Sequence, residues 1–139
     1  MFELIFTLSL LSLLLLLILP LKTKAIQRLE EKIFMETLMN DVLYLQNTQL
    51  PTSNPFYYIY FYDEYYDIGM SIFERKARRY YPSHIKLYKN NIGDIIFKRN
   101  GTIFKSGRVT FSTEDRFIEF ICPLGKGRCY FNEVWLHSS

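Results

Sequence analysis

Eighteen consecutive residues near the N-terminus, Leu4 to Leu21 (LIFTLSLLSLLLLLILPL), carry no charge. As a helix rising about 1.5 Å per residue they cover roughly 27 Å, close to the ~30 Å hydrocarbon core of a bilayer. Only Thr7, Ser9 and Ser12 interrupt the apolar run, and their hydroxyls can bond back to carbonyls of the same helix. A chain of 139 residues can rarely bury such a segment on every face. Residues 1–21 are therefore expected to form the transmembrane half of a longer helix.

Two residues mark this run. Glu3 stands at its start, where it either sits at the interface beside the helix N-terminus or, drawn into the apolar phase, requires a partner. Pro20 stands 17 positions later, still within the apolar register. It lacks a backbone donor and crowds the preceding turn, so it is expected either to kink or locally melt the helix, or to end the span.

The remaining length allows one anchored domain. A net charge of +3, spread over mixed signs, implies no strong nucleic-acid field. Aromatic residues make up 17% of the chain, with 11 Tyr and 12 Phe, and such residues favour strands. Nothing basic precedes the apolar run, whereas Lys22, Lys24 and Arg28 follow it. The positive-inside rule taken literally would leave the large domain in the cytoplasm. The alternative is a basic leader missing ahead of the start shown, which would put that domain outside.

From residue 22 to about residue 50 the helix is expected to continue in amphipathic form. Ile26, Leu29, Ile33, Phe34, Leu38, Val42 and Leu45 recur at helical spacings and should bury a stripe. Asn47, Pro51, Ser53, Asn54 and Pro55 then break the helix. Residues 51–139 read as an antiparallel β head domain. Phe56–Tyr62 should pair with Tyr66–Phe73 across Asp63-Glu64-Tyr65, followed by a short strand at His84–Tyr88. Asp94–Lys98 and Thr102–Lys105 should form a hairpin across Arg99-Asn100-Gly101. Arg108–Ser112, Phe117–Cys122 and Arg128–Val134 complete the set. The fold class is α+β, one long helix packed on an antiparallel sheet.

Few residues offer chemistry. Cys122 and Cys129 flank a glycine turn (PLGKGR) that would bring two strands together, so the pair reads either as a disulfide or as two small apolar strand residues. His84 and His137 lie at no ligand spacing to them, and no metal or cofactor is expected. Arg75, Lys76, Arg78 and Arg79, followed by Tyr80 and Tyr81, form the densest basic patch. Such a run is usually a solvated turn between strands; the sharper alternative is DNA contact by charge and stacking. Lys126 and Arg128 in the glycine turn are a weak phosphate signal lacking the Walker spacing. No catalytic constellation is visible, so no enzyme activity is expected.

The combination of an acid at the mouth of an apolar helix, a proline 17 residues on, an amphipathic continuation and an antiparallel sheet resembles the type IV pilins and pseudopilins. Within them the segments NDVLYLQ, IIFKRNGTIFKSGRVTF and LGKGRCYFNE are similar to the ComGD-like minor pseudopilins of the Gram-positive competence pilus. The resemblance aligns Glu3 with the family's fifth mature residue, which would place a leader and two residues ahead of Met1, and Pro20 with its helix-breaking proline. It implies assembly at a membrane, with Glu3 neutralising the N-terminal amine of a neighbouring subunit. The implied partners are sibling major and minor pseudopilins, a prepilin peptidase and an inner-membrane assembly platform, with DNA reached indirectly as the filament carries it through the cell wall. The competing expectation is a membrane-tethered module whose β domain contacts DNA or cell-wall polymer directly.

Overall fold

In a computed structural model, the structure describes residues 1–48, 56–70, 74–98, 100–125 and 128–136, without the side chains of residues 20–22. The described chain divides into two compact units, Met1–Ile33 and Phe34–Ser139. One α-helix, α1 (Phe2–Asn47), runs through 46 residues. Among the described residues eight strands follow, so the fold is α+β, with a long N-terminal helix before an antiparallel β region.

In the first unit the helix is bare. Every large apolar side chain from Leu4 to Leu19 is between 46% and 69% exposed. The helix is long and apolar enough to cross a membrane. Thr7 and Ser12 donate to the carbonyls of Leu4 and Ser9, at 2.9 and 2.8 Å, so these hydroxyls ask nothing of a lipid phase. The backbone stays α-helical through Pro20. Proline removes one helical bond, whereas unwinding a turn would free several backbone groups at once.

The buried stripe is shorter than the pattern implies. Phe34, Leu38, Val42 and Leu45 are at most 5% exposed, but Ile26, Leu29 and Ile33 are more than half exposed. The helical period explains the difference. At about 100° per residue the last three lie roughly 80°, 140° and 100° round the helix from Phe34, on another face.

The second unit holds two four-stranded antiparallel sheets where one was expected. The first sheet has the order β3-β2-β1-β5, from Arg75–Tyr80, Tyr65–Gly69, Phe56–Phe61 and Ile95–Lys98. The second has the order β4-β6-β7-β8, from Lys86–Asn90, Gly107–Ser112, Arg116–Cys122 and Tyr130–Trp135. Alternation sets the inner faces. Tyr57, Ile59 and Phe61 of β1 are buried, as are Arg116, Ile118, Phe120 and Cys122 of β7. All of these but Arg116 join Leu38, Val42 and Leu45 of α1 in one apolar core. The rings of Phe34, Phe61, Tyr66, Tyr81 and Phe111 meet at centroid distances of 5.2–6.5 Å, mostly edge to face, and connect the helix to both sheets.

Two further expectations are corrected. The basic run is strand β3, not a solvated turn. Thr102–Lys105 is not a strand: only Ile103 pairs, bridging Phe97 on one side and Gly125 on the other. The chain does reverse at Asn100-Gly101, where Gly101 donates to the Lys98 carbonyl and Lys98 to that of Thr102, both at 2.9 Å. Pro51, Ser53, Asn54, Pro55, Phe73, Arg99, Lys126 and His137 lie outside the described residues.

Gly101 is fixed by two constraints. Its φ is +76°, and a Cβ there would stand 2.5 Å from the Gln46 carbonyl oxygen at the end of α1. Gly101→Ala is therefore expected to destabilise the head domain by about 1–3 kcal/mol, through left-handed strain and displacement of the helix end. Urea unfolding of the two proteins checks this, and an equal midpoint would refute it.

Candidate functional site

At the start of α1, Glu3 is the acid of the first helical turn and is exposed. A carboxylate there faces unsatisfied amide groups and the positive end of the helix dipole. Every other described residue from Phe2 to Leu19 is uncharged. Glu3 is thus, among the described residues, the one charged side chain available for a specific contact at that end.

Strand β3 places the four cations of the basic run on two sides of the first sheet. A register shift between Ile68 and Gly69 turns the strand partway along. Arg78 grips Asp67 in a bidentate pair, with both contacts at 2.8 Å, and its guanidinium lies 3.8 Å from the Tyr65 ring centroid. Arg75 approaches the same carboxylate at 4.0 Å. On the helix side, Lys76 donates to the Tyr57 hydroxyl at 3.0 Å, which favours its charged form and raises its pKa. Arg79 reaches Asp41 of α1 at 3.4 Å. Each of the four has a partner within the chain. A DNA phosphate would have to compete with those partners.

Asp41 is the polar hub beneath this strand. It accepts a 2.7 Å hydrogen bond from the Tyr66 hydroxyl as well as pairing with Arg79. Tyr66 and Tyr81 are both buried phenols of the aromatic cluster. Burial is the main cause that pushes both pKa values well above the ordinary tyrosine value; the bond to Asp41 adds to the first and the charge of Asp63 to the second. The folded state therefore resists deprotonation of groups that ionise near pH 10 once unfolded. A folded pKa raised above the unfolded one gives stability that is intact below about pH 10 and declines as pH rises beyond it. Head-domain stability is expected to fall steeply above pH 10. Tyr66→Phe should lose about 1 kcal/mol at pH 7 and show a shallower alkaline decline. Urea midpoints between pH 7 and 11 measure both, and parallel curves would refute the assignment.

Cys122, at the end of β7, and Cys129, just before β8, form a disulfide with Cα atoms 4.3 Å apart. The pairing of Ile121 with Tyr130 makes these two residues the next opposed pair of the ladder. The bridge closes the loop carrying Gly125, whose carbonyl accepts from Ile103 at 3.0 Å. That loop therefore links both sheets. Arg128 is exposed beside it. Among the described residues no group of three or more His, Cys, Asp or Glu side chains gathers to hold a metal ion.

Sequence reasoning missed the outer face of the first sheet. Phe56, Tyr58 and Tyr60 alternate outward along β1, with Tyr62 beyond the strand end. Ring contacts run from Phe104 to Phe56 (6.4 Å), Phe56 to Tyr58 (6.5 Å) and Tyr58 to Tyr60 (5.4 Å). A second group joins Tyr62 to Tyr65 (4.7 Å) and Tyr65 to Tyr80 (5.6 Å). The signal was present in FYYIYFY, which offers an aromatic ring to each face of the strand. No family model, curated protein or solved structure matches this chain.

Proposed function

We propose that the protein is a minor pseudopilin of the ComGD-like kind, a subunit of a competence filament that helps carry extracellular DNA across a Gram-positive cell wall. One observation carries the reading. A single unbroken helix begins with an acid, continues as a bare apolar span, and ends by supplying Phe34, Leu38, Val42 and Leu45 to the core of an antiparallel β head. Such a chain can wait in a membrane and later exchange lipid for the helices of its neighbours.

In that exchange Glu3 neutralises the N-terminal amine of an adjacent subunit. Within a dry filament core this pairing selects register more than it adds stability. The partners are sibling major and minor pseudopilins and an inner-membrane assembly platform, with a prepilin peptidase acting on a precursor. The head lies outside the cell. The Cys122–Cys129 disulfide supports that orientation, because such bridges persist in oxidising surroundings. The cations Lys22, Lys24 and Arg28, which follow the span, weigh against it.

Glu3→Ala is expected to stay in the membrane fraction, since the apolar span is untouched, yet to disappear from filaments sheared off competent cells. Quantitative blotting of membrane and sheared fractions reads both. Normal recovery of the variant with its sibling subunits would sink the proposal.

A further inference from the structure

We propose that the outer face of the first sheet binds single-stranded nucleic acid, with bases stacking on its aromatic rings and phosphates meeting cations on its outer strands. The face is a four-stranded antiparallel surface whose opposite side is buried in the core. Its two central strands and their flanks present the rings, namely Phe56, Tyr58 and Tyr60 on β1 and Tyr65 on β2. Its two outer strands present the cations, Arg75 and Arg78 on β3 and Lys98 on β5.

The register aligns these groups in rows. Lys98 stands opposite Phe56, and Tyr60 stands opposite Asp67, which stands opposite Arg78. Tyr65 stands opposite Tyr80. Rings at the centre of a four-stranded sheet with basic groups at its margins suit an unpaired strand, whose bases are free to stack and whose backbone is anionic. Double-stranded DNA cannot use the rings, because its bases already stack on one another. Two carboxylates, Asp67 and Asp94, lie among the rings. The first is neutralised by Arg78, and the charge of Lys105 acts on the second. With Asp67 matched by Arg78, the net positive charge of the margins is carried by Arg75 and Lys98.

The most open rings stand at the two ends of the surface. Tyr80 is 67% exposed and Phe104 55% exposed, and each has a cation on its own or the neighbouring ring: Lys98 lies 5.1 Å from the Phe104 centroid and Arg78 lies on Tyr65. Bases held at the ends and a backbone crossing between them would engage Arg75, whose pairing to Asp67 at 4.0 Å is the loosest on the strand.

The inference does not depend on filament assembly and is tested on the isolated full-length chain in detergent micelles. The probes are fluorescently labelled oligo-dT, its oligo-rU counterpart and a duplex of equal length, read by anisotropy. The strand should bind more tightly than the duplex. Tyr80→Ala and Phe104→Ala should each weaken it by about tenfold, Tyr80→Phe should restore it, and Tyr88→Ala on the second sheet should change nothing. Arg75→Gln should lower the slope of log affinity against log salt by about 0.7. Thermal melts of each variant confirm that the exposed substitutions leave the fold intact. A preference for dT or rU names the source as DNA or RNA, and either supports the proposal where the ring dependence holds. Equal affinity for the duplex, or binding indifferent to both rings, would overturn it. So would loss of the rings changing only self-association, with no binding of the oligonucleotide.

Discussion

Phe34 is the residue on which the head domain closes. Its ring meets Tyr66 of the first sheet, Phe111 of the second and Tyr81 of the connection between them, within 5.2–6.5 Å and at steep angles. Two antiparallel sheets need a shared inner layer if both are to bury a face. Here the helix supplies it, and edge-to-face rings fill the angular space that aliphatic side chains would leave as voids. The choice of aromatics has a polar consequence. Tyr66 and Tyr81 bring hydroxyls into a water-poor region, where an unpaired group is costly. Asp41 accepts from one at 2.7 Å and the Tyr62 carbonyl from the other at 2.9 Å.

Asp41 thus couples the core to the surface. Its second partner is Arg79 of β3, so the same carboxylate that satisfies a buried phenol also tethers an outer strand to the helix. Outer strands present unpaired backbone and invite stray pairing, and charge is the usual guard. In β3 the guard doubles as an attachment. Arg78 on Asp67, Arg79 on Asp41 and Lys76 on Tyr57 hold the strand by three side-chain contacts along six residues.

Those contacts explain what could be read from the sequence and what could not. FYYIYFY reads as a strand from its β-favouring residues, but alternation there offers rings to both faces, and it is the structure that puts Tyr57, Ile59 and Phe61 inside. The apolar span is legible from its length and composition. In contrast, β3 reads as polar nearly throughout, with Ala77 its one residue packed against the apolar core. What makes it a strand is Asp67, Asp41 and Tyr57, which lie 11 to 38 positions away in the chain. The helical stripe was overextended because a run of spacings between three and five drifts round a helix whose period is 3.6. Ile33 and Phe34 both fit the loose pattern, yet only Phe34 is buried. Ile103 was misassigned in the opposite sense. It is nearly fully buried, but its partners are Phe97 and the Gly125 loop, so a single residue does the work expected of a strand.

The outer rings of the first sheet have a simple explanation that accounts for only part of them. Tyrosine and phenylalanine favour strands, and cross-strand or same-face ring pairs stabilise a sheet by some tenths of a kcal/mol to about 1 kcal/mol each. That suffices for Tyr58 and Tyr60, whose parallel rings shield one another 5.4 Å apart, and for Tyr62 against Tyr65. It is a poor account of Tyr80 and Phe104, which each touch one ring and leave most of their own surface in water. Valine or threonine would serve the backbone at those positions as well, without the exposed apolar area that promotes aggregation. The rings that the fold does not need are the ones at the open ends of the row, where a planar ligand has free access.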